Sequence, residues 1–125
     1  MTRGLTYMPN IPATVPTVTL VMNDGMGNAE PALRHKLFRI YLTLLLENHQ
    51  LPVAFCFYTE GVRLVVEGSP VLDLLRQIEA RGVFLLSCQT CLHHYGLADK
   101  VQVGIVGGMH DIIEVQQRAA KVISI

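Results

Sequence analysis

Apolar residues along this chain fall into two kinds of pattern, short unbroken runs and longer stretches at helical spacing, and the two alternate. Thr17 to Met22 is β-branched and apolar, as suits a strand buried on both faces. It leads into the glycine-rich stretch Asn23-Asp24-Gly25-Met26-Gly27-Asn28. A helix is predicted next. Asn28 is placed as its N-cap, Glu30 near the positive end of its dipole and Pro31 in its first turn. Leu33, Leu37, Ile40, Tyr41, Leu44 and Leu45 then recur at helical spacing until Asn48 to Pro52 stops the pattern. Val53 to Phe57 reads as a second buried strand. Gly61 to Gly68 fits either a short helix or an edge ribbon. Ser69 and Pro70 open a helix whose face carries Val71, Leu72, Leu75 and Ile78, and Gly82 closes it as the left-handed residue. Val83 to Ser87 is a third strand that runs directly into Cys88. One or two helical turns follow, closed by Gly96. Val101 to Val106 is a fourth strand. Met109 to Ala119 is a last helix with Ile112, Ile113 and Val115 inward, and Val122 to Ile125 is a final strand.

Strands joined through helical segments predict an α/β fold in three layers: a doubly wound, mostly parallel five-stranded sheet of flavodoxin-like type. Residues 16–125 form one domain, and residues 1–15, with no long apolar stretch, read as a loose arm. In an open parallel sheet, ligands bind beyond the carboxyl ends of the strands, near the point where strand order reverses. With strand order 2-1-3-4-5, the first and third strands are neighbours. That order brings the Asn23–Asn28 loop beside Cys88.

Composition narrows the function. Half of the 125 residues are hydrophobic and only 16% are charged, against about 25% charged in typical globular chains. No apolar run approaches the ~20 residues of a membrane-spanning helix, so the excess apolar surface is expected to meet other copies of the chain. Net charge is zero and no basic block appears, which argues against nucleic acid as a partner. The first residues do not resemble a signal peptide, and the odd count of three cysteines argues against a disulfide framework. A cytoplasmic protein with no membrane association is expected.

The candidate chemistry centres on Cys88-Gln89-Thr90-Cys91, a C-x-x-C pair at a strand-to-helix junction. Free amides there favour the thiolate, which is the nucleophile. On this reading Cys88 is the more reactive thiol, Cys91 the less, and Cys56 an inert strand residue. His93, His94 and His110 are candidate modulators of a thiol or a proton. One short turn cannot easily surround a tetrahedral ion, so neither a metal nor another cofactor is expected. All six prolines lie at or before residue 70, which leaves no later proline to sit beside the cysteines as in thioredoxin-like folds. The loop residues Asn23, Asp24, Gly25, Gly27 and Asn28 are a candidate anion or ligand site, with a plain tight turn as the alternative. They match neither a P-loop nor a dinucleotide fingerprint.

Several motifs occur in the order of a known group: Asn23-Asp24-Gly25-Met26-Gly27, Phe57-Tyr58-Thr59-Glu60-Gly61-Val62, Glu67-Gly68-Ser69-Pro70-Val71-Leu72, Leu85-Leu86-Ser87-Cys88-Gln89-Thr90-Cys91-Leu92 with Tyr95-Gly96-Leu97, and the closing Lys121-Val122-Ile123. Over about residues 17–125 the chain resembles the DsrE/DsrF-like sulfur-relay family, and within it the C-terminal domain of YedF-type selenium-metabolism proteins. The resemblance implies a sulfur or selenium carrier of sulfurtransferase-like character, holding a persulfide on the cysteine that matches Cys88. It also implies trimers or hexamers, and a TusA-like protein as donor or acceptor. Two other readings stay open: a non-catalytic oligomeric binding module, and a thiol–disulfide redox protein using Cys88 and Cys91.

Overall fold

The computed structural model describes residues 16–125; the predicted arm over 1–15 lies outside the described residues. Five strands, β1 (Thr17–Val21), β2 (Ala54–Phe57), β3 (Phe84–Cys88), β4 (Ile105–Gly107) and β5 (Lys121–Ser124), form one sheet in the order β4-β3-β2-β1-β5. Every neighbouring pair is parallel. Four helices connect them: α1 (Pro31–Glu47), α2 (Leu72–Ala80), α3 (Gln89–His94) and α4 (Met109–Arg118). The ambiguous stretch after β2 is a 3-10 helix, Thr59–Leu64.

The α/β class and the five parallel strands are as expected, but the order of strands is not 2-1-3-4-5. β2 lies between β1 and β3, so the Asn23–Asn28 loop and Cys88 sit two strands apart. The reason lies in the crossovers. The chain steps from β1 to β4 in one direction, so right-handed connections place α1 and α2 on one face. Only the last connection, β4 to β5, runs back across the sheet, and it places α4 on the opposite face.

Register and pleat divide the strand residues between these faces. Thr19, Val21, Phe55, Phe57, Leu85 and Ser87 share the α1/α2 face, and all are buried. Val18, Ala54, Cys56, Phe84, Leu86, Cys88 and Ile105 share the α4 face. A single helix cannot cover five strands. The amino-terminal end of this face is left as an apolar groove of about 540 Å³ between the sheet and α4, lined by Val18, Ala54, Phe84, Leu86, Ile105 and Val115 among others.

Four local expectations change. α1 turns Phe38, Leu42 and Leu46 into the core, whereas Leu33, Leu37, Ile40 and Leu44 are 40–48% exposed. The helix is apolar on several sides, so spacing alone could not choose its inner face. Its cap position is Glu30, not Asn28. Ile113 on α4 is likewise half exposed, while Ile112 is buried. β4 is shorter than the predicted run. Val101 instead forms an antiparallel bridge with Val66, and the chain turns at Gly104, whose φ of +78° and contact with the Leu85 carbonyl leave no room for a side chain.

Candidate functional site

Cys88 is the last residue of β3, at the carboxyl edge of the sheet, as the sequence predicts. Its neighbour in the ladder is Gly107, the last residue of β4. Its side chain belongs to the α4 face and is 1% exposed. Cys91 lies one turn along α3 and is only partly buried. Cys88 is the cap residue of α3 and Cys91 stands one turn inside it, so the two thiols are neighbours, and Cys88 pushes the Cys91 thiol up. Both cysteines are free, as is Cys56.

The Cys91 sulfur accepts a hydrogen bond from the backbone N–H of Thr59 over 3.1 Å. Thr59 opens the 3-10 helix after β2, with φ of +49°. A β-branched residue is a genuine outlier in that region of backbone space. Its hydroxyl has one proton to share between the carbonyls of Met22 and Tyr58, at 2.5 and 2.7 Å, and so ties the end of β1 to the end of β2. Gly61, two residues on, packs so closely on the Val21 carbonyl that a Cβ there would collide with it. Thr59 is thus the link between the loop after β1 and the cysteines that strand order alone keeps apart. Sequence reasoning missed it. A threonine in the left-handed region carries no sequence signature of the kind a glycine gives.

Burial raises the Cys91 thiol above its ordinary pKa, the Thr59 N–H pulls against that rise, and Cys88 adds to it. Cys56, mid-strand and fully buried, is pushed up to about 11 by burial. Its place in the middle of a buried strand was expected from the sequence.

A polar cluster lies beside Cys91. Arg63 pairs with Glu60 over 3.0 Å, and its guanidinium sits 4.5 Å from the centre of the Tyr95 ring. Tyr95 and Glu60 act on each other, lowering the Glu60 carboxyl and raising the Tyr95 phenol. Charge reaches Tyr95 from Cys91 and Glu60 from Arg34. These groups come from the 3-10 helix, α3 and α1.

The glycine-rich loop is closed on itself. The N–H of Asp24 goes to Asn23 Oδ1, that of Gly25 to the Asn23 carbonyl and that of Met26 to the Arg34 carbonyl. Asn23 Nδ2 donates to the Gly27 carbonyl over 2.8 Å, and the Arg34 side chain donates to the carbonyls of Asp24 and Ala29. His35 Nε2 meets Asp24 Oδ1 at 3.1 Å. Gly25 is held at φ of +118° with its α-carbon against Arg34, where a Cβ would approach within 2.6 Å. Gly25 therefore has a packing reason to be there and Gly27 a conformational one, its φ of +80°, and three loop amides already donate to protein acceptors.

The predicted histidines stay at the periphery. His93 and His94 are exposed on α3, with the His94 ring edge-on to Tyr95. His110 is exposed at the start of α4 beside Asp111, whose carboxylate accepts the Gly108 N–H. Among the described residues, no group of three or more histidines, cysteines or carboxylates could hold a metal ion.

The sequence profile of the DsrE/DsrF-like family matches residues 18–125. The chain belongs to the DsrE/DsrF-like family. Solved structures of similar fold include the YchN protein from E. coli, at 16% identity and a TM-score of 0.66, covering 88% of this chain and 99% of that one. A protein of unknown function from Methanobacterium thermoautotrophicum, MTH1491, is also 16% identical, with a TM-score of 0.67 over 90% of this chain and 100% of that one. At such identity these neighbours share the fold. No curated protein matches the sequence. No helix among the described residues is long and apolar enough to cross a membrane.

Proposed function

We propose that this DsrE/DsrF-like protein carries sulfane sulfur, or selenium, on the Cys88–Cys91 pair. The observation that supports this most directly is the pair itself. Two free, neighbouring thiols stand at the carboxyl edge of a parallel sheet, one buried and one reachable, with a backbone N–H aimed at the reachable sulfur. A persulfide on such a pair has a second thiol within reach for onward transfer. The donor or acceptor is a thiol protein of TusA-like kind, as the YedF-type resemblance implies. Arg63, Tyr95 and Glu60 form the polar rim it would meet. Intact mass after incubation with a sulfane donor tests the reading. A gain of one sulfur, reversed by reductant, is expected. A loss of two hydrogens instead would favour the thiol–disulfide reading, and no change would favour a binding module.

The protein acts as a homo-oligomer, of three-fold or higher order. Supporting this are the exposed apolar residues Leu37, Ile40 and Leu44 on α1, and Phe84, Ile105 and Ile113 around the α4-face groove. Sedimentation at tens of micromolar should show a trimer or hexamer. A monomer would refute it.

A further inference from the structure

Resting on the carrier reading, we propose that Cys91 is the thiol that receives sulfur from the donor, that Cys88 is the inner site that stores it, and that Thr59 is the positioning residue for the exchange. This is the reverse of the order of reactivity that position along the chain suggests.

The argument begins with access. Transfer between two cysteines requires an in-line approach of one sulfur to the other, so the receiving sulfur must be reachable by a donor's side chain. Cys88 is 1% exposed, with its side chain in the core. Cys91 is partly exposed and stands beside exposed Thr59 and half-buried Tyr95. A donor persulfide can reach Cys91 with the fold intact and cannot reach Cys88 without opening it.

Charge handling supplies the second support. A thiol exchange places negative charge on the attacking sulfur and then on the leaving one. Cys91 plays both parts in a relay. It attacks the donor, and it leaves when Cys88 takes the sulfur. The Thr59 N–H faces Cys91 Sγ in both events. That amide is held there by an unfavourable backbone conformation, secured through the hydroxyl bonds to Met22 and Tyr58. Strain of this kind persists only where surrounding structure enforces it.

The steps balance without an external oxidant. Cys91 thiolate attacks the terminal sulfur of a donor persulfide, R–S–SH. The donor S–S bond breaks, and R–S⁻ leaves and takes up the proton that Cys91 gave up. Cys88, deprotonated in turn, attacks the terminal sulfur of Cys91–S–SH. That S–S bond breaks, Cys91 leaves as thiolate towards the Thr59 N–H, and the Cys88 proton ends on Cys91. One sulfane sulfur has moved inward, and its oxidation state is unchanged. Buried at Cys88, it is shielded from small reductants.

The test uses the full chain and a low-molecular-weight thiol persulfide as donor, with sulfur placed by peptide mass mapping. Wild-type protein should be labelled first at Cys91 and later at Cys88. Cys91→Ala should slow loading about tenfold or more, as loss of the accessible thiol implies. Cys88→Ala should still gain sulfur, at Cys91 alone, and lose it to reductant about tenfold faster than the wild type, since the remaining site is partly exposed. Brief iodoacetamide treatment of the wild type, which needs no folded variant, should modify Cys91 well before Cys88. Modification of Cys88 first, or Cys91→Ala loading Cys88 at the wild-type rate, would overturn the relay and leave the carrier reading standing. Failure of the wild type to gain sulfur at all would overturn the carrier reading itself. For Thr59, the pH profile of Cys91 alkylation should move to higher pH in Thr59→Ala and return in Thr59→Ser. An unmoved profile would remove Thr59 from the proposal.

Discussion

The two faces of the sheet carry similar strand residues and meet different fates. On the α1/α2 face, Phe55, Phe57, Leu85 and Val21 are essentially free of solvent. On the α4 face the carboxyl half is equally dry, with Cys56, Leu86 and Cys88 buried, but the amino half opens into the groove and Phe84 is 64% exposed. The difference follows from connectivity. The crossovers from β1 to β3 all move the same way and stack α1 and α2 on one face, whereas one reversed crossover leaves a lone α4 on the other. Two phenylalanines in neighbouring strands of one sheet, Phe55 and Phe84, therefore carry opposite weights in stability.

The sharpest way to break this comparison is to truncate both. Phe55→Ala should destabilise the chain by about 3–5 kcal/mol, the cost of emptying a core aromatic site. Phe84→Ala should change the stability of the isolated chain by about 0.5 kcal/mol or less, as for surface positions. Any larger loss at Phe84 should depend on protein concentration, the mark of stability borrowed from a neighbouring copy. Denaturant titrations at two concentrations measure both. Similar losses at the two positions, independent of concentration, would show that the α4 face is packed within one chain.

A second probe asks how dry the carboxyl half of the α4 face is. Cys56 ionises near 11 in the folded chain, against an ordinary value of 9.0, because burial disfavours its thiolate. The unfolded chain loses its proton first as pH rises. The Cys56 contribution to stability is therefore intact below the ordinary value and is lost between there and about 11. Stability should fall over that window by up to about 1.4 kcal/mol per pH unit, and Cys56→Ala should flatten that part of the fall. An unchanged slope in the variant would mean that water reaches Cys56.

The smallest effect belongs to the join between α1 and α2. Arg39 makes a paired contact with Asp73, 2.6 Å at its shorter arm, and the carboxyl is held below its usual range chiefly by that bond. Both side chains are about half exposed. Arg39→Ala should cost no more than ~1 kcal/mol, and less in high salt. A larger loss would mean that this face relies on the clamp as well as on its buried phenylalanines.

Much of this architecture is legible in the sequence because it depends on short-range physics. The unbroken apolar runs of β1, β2 and β3 suit strands covered on both sides, and the structure buries them so apart from Phe84 at the start of β3. Gly82 and Gly96 mark helix ends through the positive φ that they adopt, at +89° and +69°. Cys88 could be assigned to the end of β3 because an apolar run stops there. The inner face of α1 was less legible, since Leu37 and Leu44 are as apolar as the Phe38 and Leu42 that the core receives.

The residue sequence by itself determined the elements, the parallel α/β class and the position of the C-x-x-C pair at a strand-to-helix junction. These follow from periodicity, turn residues and the handedness of crossovers, all local to a few tens of residues. Only the tertiary structure decided the strand order, the bare half of the α4 face and the partners of the two cysteines. Each of these depends on which segments distant in the chain meet. Thr59 reaches Cys91 across 32 positions and Met22 across 37, and no local pattern encodes a contact made at that separation.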